Sequence, residues 1–278
     1  MSSSPRFTLY PAQPADIPQL AAISARAFAR DANTQMKAQG QKPGAFEHGM
    51  AAGLRMWIGL PPSRCVVLKA VERHGDGDGD GAGRIAGWLA LPSADDEEES
   101  LVVARGPDQD GQAAAASDPA AEQRQDQEQQ QVAAPDEEAA SRIERFETMT
   151  SEHLAAFQKK VMPEGTRCMY IIAAAVDPAA QGRGVGSRLV RWGTEQADRN
   201  GVFCWVHASE AGWRMFEGKG FVEVERLTID LDEWAVGRRE GDDGGWGEYT
   251  LRYMVRQAGG GEGRGFWSPS WSEMGGAV

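Results

Sequence analysis

The segment from Cys168 to Arg199 constrains the fold of this chain most. It begins with a fully apolar run, 168–176, passes through a turn rich in glycine, and ends in an amphipathic stretch, 187–199. A short apolar run bounded by turn residues predicts a buried strand, and apolar residues at helical spacing predict a helix. The segment therefore predicts a strand, a tight turn and a helix in direct succession, which is typical of an α/β protein.

The turn is suited to hold an anion. Gly182, Gly184 and Gly186 leave successive backbone N–H groups uncovered at the start of a helix. Unpaired donors and the helix dipole both favour a phosphate group at such a place. A pyrophosphate-bearing ligand is therefore the first hypothesis, and a glycine-rich helix cap without a ligand is the alternative.

The spacing of the glycines excludes two common phosphate motifs. In a dinucleotide fingerprint, reading from Gly184 puts Leu189 at the third glycine, and reading from Gly182 puts Ser187 there. The nearest match to a nucleoside-triphosphate loop, at 212–220, is one residue too long. Neither a nicotinamide dinucleotide nor a nucleoside triphosphate is therefore indicated.

The remaining pattern, Gln181-x-x-Gly184-x-Gly186 after a strand end, resembles the acetyl-CoA signature of the GNAT superfamily of N-acetyltransferases. A second segment follows at the matching distance. After an apolar run over 202–208, residues 209–221 resemble the short helix that ends in a Gly-Phe pair in this family. With an N-terminal strand and helix that are also common in the family, the resemblance covers about residues 6–92 and 142–256.

The resemblance implies an α/β (α+β) fold with a mixed, twisted sheet of about seven strands and helices on both faces. Its fourth and fifth strands, 168–176 and 202–208, are expected to splay apart and admit acetyl-CoA as the co-substrate. Small side chains at 173–175 suit a pantetheine arm beside the strand, and core packing is the alternative reading. The resemblance assigns co-substrate contacts to Ala174, Val176, Gln181, Gly182, Arg183, Gly184, Val185, Gly186, Ser187, Ser209 and Phe216.

The implied chemistry is attack of an amine on the thioester carbonyl, followed by protonation of the leaving thiolate. Candidate catalytic residues are His207, Ser209 and Glu210, near the end of the fifth strand. His207 is either a base in the cleft or a structural histidine, and Glu210 is either a base or a helix-cap residue. Many family members have a tyrosine that acts as the general acid where this chain has Phe216. Water, the substrate amine or Ser209 would then protonate the leaving thiolate in this protein.

Two classes of function stay open at this point. The first is an acetyl-CoA-dependent N-acetyltransferase that acts on a primary amine, with a small-molecule acceptor favoured over a protein. The second is a non-catalytic acyl-CoA-binding sensor or interaction module. The complete glycine turn favours the first, and the apolar residue at Phe216 favours the second. The sequence does not indicate an oligomeric state.

The negative charge of the chain is concentrated in one segment. Residues 93–141 contain 14 acidic and 2 basic residues, while the rest contains 27 of each. This segment has almost no aromatic residues and is predicted to be a disordered acidic insertion, either a solvated spacer or a partner-binding element. It divides the predicted domain into 1–92 and 142–256. Because the remainder is neutral, no nucleic-acid partner is expected.

The tail, one glycine-rich loop and the cysteines give further expectations. The tail 257–278 contains glycines and two tryptophans, which either fold back over the domain or line the amine pocket. The loop 74–83 copies the first half of a calcium loop, but Gly87 stands where the bidentate Glu is required, so no metal is expected. No apolar run is long enough to span a membrane, and three cysteines without CxxC spacing favour a reducing compartment. We expect a cytoplasmic protein, with the nucleus as an alternative.

Overall fold

A computed structural model describes residues 7–72, 83–92, 137–239 and 245–260 of the chain. In these residues eight strands occur: β1 Phe7–Pro11, β2 Val66–Glu72, β3 Arg84–Leu91, β4 Cys168–Ile171, β5 Ala173–Val176, β6 Phe203–Ala208, β7 Val222–Asp230 and β8 Glu248–Arg256. The helices of the same residues are α1 Ile17–Phe28, α2 Ala32–Ala38, α3 Ala45–Gly59, α4 Glu137–Val161, α5 Val185–Arg199 and α6 Trp213–Glu217.

The strands form two four-stranded sheets. One has the order β1-β2-β3-β5, and the other has the order β4-β6-β8-β7. Every pairing is antiparallel except that of β4 with β6. The predicted class, a mixed sheet structure with helices, is therefore confirmed, while the strand count in the described residues is eight and not about seven.

The difference in strand count comes from the predicted strand 168–176. It is divided at Ile172, because its first half pairs in parallel with β6 and its second half pairs antiparallel with β3. The N–H of Ile172 itself donates to the carbonyl of Ala90 at 3.0 Å. The predicted opening between 168–176 and 202–208 thus lies where the chain passes from one sheet to the other, and β5 is the last strand of its sheet.

Helices cover both faces of the sheets, as predicted. Helix α5 packs Leu189 and Val190 into one core that includes residues of both sheets. On the opposite face of the first sheet, α1 and α3 bury Leu20, Leu54 and Trp57. On the opposite face of the second sheet, α4 packs against the strands β4, β6 and β8. Burial of these apolar faces is the main source of stability.

The predicted end of the insertion, at 141, lies within the described residues. Helix α4 begins at Glu137, so the last five residues of the predicted insertion, 137–141, are helical. Residues 93–136, the calcium-like loop up to 82 and the tail from 261 lie outside the described residues. The short helix Ala258–Gly260 follows β8, and the N–H of Gly259 donates to Asp198 at 2.6 Å.

Candidate active site

The start of the glycine turn is fixed by a buried carboxylate. Asp177 accepts hydrogen bonds from the N–H of Ala179 at 3.0 Å and from Arg26 at 2.7 Å, and it lies 2.9 Å from Arg84. Burial alone would raise the pKa of Asp177, but the hydrogen bonds from Arg26, Ala179 and Arg84 hold it below its usual value. The carboxylate therefore ties the turn to α1 and β3 as a rigid unit.

The three glycines of the turn have different structural roles. Gly182 and Gly184 have φ values of 71° and 84°, and a Cβ at either would meet open space. At Gly186, in contrast, a Cβ would come within 2.6 Å of the sulfur of Met215. Gly182 and Gly184 thus allow the left-handed turn in front of α5. Gly186 allows α5 to pack against α6, a role that the sequence did not reveal.

The turn opens into a cleft of about 1150 Å³. Its wall includes most of the residues predicted to contact the co-substrate: Ala174, Val176, Gln181, Gly182, Gly184, Val185, Gly186, Ser187 and Ser209. Arg183 is not among the lining residues, because its guanidinium contacts Glu72 and lies over the ring of Phe7. The structure thus brings together nine of the eleven residues predicted for co-substrate binding.

A second, smaller cavity of about 250 Å³ adjoins the cleft. The two share seven lining residues: Phe28, Asp31, Ala174, Ser209, Gly212, Met215 and Tyr249. Phe216 lines this smaller cavity and not the cleft, and its ring packs edge-on against Phe221. A ligand in the cleft would therefore meet a ligand in the cavity beside Ala174 of β5 and Ser209 after β6.

The three predicted catalytic residues lie around this junction. Ser209 lines both spaces, Glu210 lines only the cleft, and His207 lines only the cavity. The half-buried ring of His207 stacks on Tyr253, with 4.8 Å between ring centroids. Glu210 is exposed, and its Oε1 accepts a hydrogen bond from the N–H of Thr250 at 3.1 Å. The structure thus places His207 on the cavity side and Glu210 on the cleft side.

Sequence reasoning missed a pair at the same junction, the buried Tyr249 and the partly buried Asp31. The hydroxyl of Tyr249 donates to Oδ1 of Asp31 at 2.8 Å, and both residues line both spaces. Burial raises the pKa of Tyr249, and the charge of Asp31 adds to the shift. Asp31 also caps α2 by accepting from the N–H and hydroxyl of Thr34, both at 2.9 Å. The only sequence signal was an aspartate before a short helix, which indicates a cap and not a site.

The described ranges contain no group of three or more His, Cys, Asp or Glu side chains arranged to hold a metal ion. No helix in those ranges has the length and apolarity to cross a membrane.

The chain is similar to known acetyltransferases in sequence over one segment and in structure over most of its length. Residues 119–221 match the model of the acetyltransferase (GNAT) family. No curated protein matches the chain. Among solved structures, the histone acetyltransferase HPA2 and related acetyltransferase from Corynebacterium glutamicum is 17% identical, with 91% of this chain and 97% of that chain covered and a TM-score of 0.45.

Two further solved structures give similar values. The ribosomal-protein-S18-alanine N-acetyltransferase from Escherichia coli is 13% identical over 94% of this chain and 99% of its own, with a TM-score of 0.42. Arabidopsis thaliana NAA60, in complex with a bisubstrate analogue, is 13% identical over 92% of this chain and 99% of its own, with a TM-score of 0.45.

The family match contains the features that the structure brings together. It extends over α4, the divided strand, the glycine turn, α5, β6 and α6, and it ends at Phe221 of the Gly-Phe pair. Residues 119–221 of the chain therefore resemble an acetyltransferase domain of the GNAT family.

Proposed function

We propose that this protein transfers an acetyl group from acetyl-CoA to a primary amine by direct attack in a ternary complex, with a small molecule favoured as the acceptor. The observation that supports this most is the junction of the cleft and the cavity beside Ala174 and Ser209. Direct transfer requires two substrates with their reacting atoms in contact. Two adjoining spaces, one with a glycine turn at its wall, provide that arrangement.

The cleft suits acetyl-CoA in size and in chemistry. Its volume, about 1150 Å³, lies just above the range of ~300–1000 Å³ that is common for ligand pockets. The first N–H groups of α5 would bind the pyrophosphate, since they have no partner within the helix. The pantetheine arm would lie along β5, which is an edge strand, and bring the thioester to the junction.

The transfer itself exchanges one bond for another. The neutral amine nitrogen attacks the thioester carbonyl, a C–N bond forms, and the C–S bond breaks. One amine proton leaves the nitrogen, and the departing sulfur gains a proton, so the products are an amide and CoA. His207 lines the acceptor side and suits removal of the proton, while Ser209 and Tyr249 line the junction, where the sulfur would lie. Phe216 cannot supply a proton.

The apolar side chain of Phe216 also favours the second candidate, a non-catalytic acyl-CoA-binding module. Binding without transfer would need the cleft but not the smaller cavity. Both candidates therefore predict acetyl-CoA binding. Only the transferase predicts release of CoA in the presence of an amine.

Two measurements test the proposal. Acetyl-CoA should raise the melting temperature of the full chain, while NAD and ATP should not, because binding to the native state alone stabilises it. A panel of primary amines should then give amine-dependent release of CoA. A thermal shift without release for any amine would favour the sensor, and the absence of a shift would contradict both candidates.

We also propose a reducing, cytoplasmic or nuclear compartment. Cys65, Cys168 and Cys204 are buried free thiols, and burial raises the pKa of Cys65 and of Cys168 to about 12. Detection of the protein by cell fractionation or fluorescence in another compartment would contradict this.

A further inference from the structure

We propose that the 250 Å³ cavity binds a small primary monoamine with an apolar arm, and that Asp31 and Asn33 receive its ammonium group. The inference rests on the proposed function and adds the class of the acceptor to it. It follows from the charge of Asp31, an unsatisfied acceptor on Asn33 and the composition of the cavity wall.

Among the residues that the structure describes, the hydrogen-bond partners of the Asp31 carboxylate are uncharged. Tyr249 donates to Oδ1, and the N–H and hydroxyl of Thr34 donate to Oδ2. Within the four described ranges, no Lys, Arg or His forms an ion pair with it. A partly buried negative charge without a cation is unfavourable unless something neutralises it. A cationic ligand at the junction would do so.

Asn33 provides a second acceptor in the same cavity. Its Oδ1 is buried and accepts no hydrogen bond from the part of the chain that the structure describes. Buried polar atoms nearly always have a partner, so such an atom at a cavity wall indicates a ligand or water that donates to it. An ammonium group has three N–H donors, which suits a cavity whose wall carries both acceptors.

The rest of the wall determines what the ammonium carries. Phe28, Phe46, Trp88, Phe146 and Leu154 line the cavity, so an aliphatic or aromatic arm would bury its surface there. Lys37 also lines the cavity, beside Glu147 at 3.6 Å. Among the lining residues that the structure describes, Asp31 is the only acidic one, so a second ammonium on the ligand would have no carboxylate of its own. This favours a monoamine over a diamine of the same length.

The first test compares matched amines by calorimetry on the full chain saturated with CoA, where no transfer takes place. Hexylamine and 2-phenylethylamine should bind at least about tenfold more tightly than 1,6-diaminohexane and than the short peptide Ala-Gly-Ala. Tighter binding of the diamine or the peptide, or no binding of either monoamine, would overturn the inference. Because this readout needs no turnover, release of CoA with other amines would leave the proposed function standing.

The second test uses variants. Asp31→Asn keeps a capping side chain and removes the charge, so hexylamine should bind about 10- to 100-fold more weakly. Asp16→Asn is the matched control, since Asp16 pairs with Lys69 at 2.7 Å and lines neither space. Equal affinities of wild type and Asp31→Asn would overturn the role of Asp31.

Asn33→Leu separates binding from stability. Removal of an unsatisfied buried acceptor should leave the melting temperature unchanged or higher, while hexylamine binds at least about fivefold more weakly. A lower melting temperature with unchanged hexylamine affinity would show that Asn33 is structural and overturn its assignment.

Discussion

The two halves of the candidate site are built in different ways. The part of the co-substrate half that would hold the pyrophosphate is formed by consecutive residues, 177–187, and presents mainly backbone N–H groups. The acceptor half joins residues that are far apart in the chain, as in the hydrogen bond between Tyr249 and Asp31, 218 positions apart. The first half therefore depends on local backbone geometry, and the second depends on the packing of α2 against β8.

This contrast indicates where substitutions act. A change in the glycine turn alters a surface that any acyl-CoA ligand would use. A change on the cavity side of the junction mainly alters side chains that would meet the acceptor. We therefore expect the first kind to abolish acetyl-CoA binding and the second to change turnover or amine affinity while acetyl-CoA binding stays.

The largest effect is expected for Gly186→Val. A side chain there would collide with Met215 and push α6 away from α5, at a cost of ~1–3 kcal/mol for overpacking. The acetyl-CoA thermal shift should also be lost, because the first turn of α5 moves. Gly193→Ala is the control on the same helix, since its Cβ would meet Leu91 at an ordinary 3.5 Å. A Gly186→Val protein with a normal shift would contradict the role of this turn.

The next effect is expected for His207→Gln. If His207 removes the amine proton, kcat/KM should fall by about 10²-fold and its acidic limb should disappear, with the acetyl-CoA shift intact. Stopped assays across pH 5.5–9 would measure both. A lower melting temperature with normal kcat/KM would instead mean that His207 is structural and acts by stacking on Tyr253.

Asp177→Asn tests the rigidity of the turn. Loss of the charged hydrogen bonds to Arg26 and Arg84 should cost ~1–3 kcal/mol at pH 7. The pKa of Asp177 is lower in the folded state, so its stabilisation is present above about pH 4 and is lost as the pH falls through the folded value. The stability difference between variant and wild type, measured by urea unfolding, should therefore shrink from pH 7 to pH 3. A constant difference would contradict this.

Much of the co-substrate half could be predicted from the sequence, because glycines with defined spacing fix a local backbone shape. The helix predicted over 187–199 is also close to α5, Val185–Arg199, since hydrophobic periodicity is local. The break at Ile172 was not predicted, because both halves of 168–176 are apolar and only the partner strand changes. Asp31 and Tyr249 were not predicted, because their pairing depends on long-range packing.

A smaller effect is expected for Tyr249→Phe. Loss of its hydrogen bond to Asp31 should cost ~1–2 kcal/mol and lower kcat/KM several-fold. Burial raises the pKa of Tyr249, so the unfolded state loses its proton first, above about pH 10. The stabilisation is thus present below about pH 10 and is lost above it, and the variant should show a flatter decline there. Tyr10→Phe, at an exposed strand position, is the control, and equal alkaline slopes would contradict the prediction.

The smallest effect is expected for Glu210→Gln. Glu210 lines the cleft but not the acceptor cavity, and its Oε1 accepts from the N–H of Thr250. The amide oxygen of glutamine can accept the same hydrogen bond, so stability should change by less than about 0.5 kcal/mol. If proton removal takes place on the acceptor side, as proposed, kcat/KM should stay within about twofold. A tenfold loss of kcat/KM with an intact acetyl-CoA shift would show that the carboxylate handles a proton. The base would then be Glu210 in the cleft and not His207 in the cavity, and the division of roles between the two halves would be wrong.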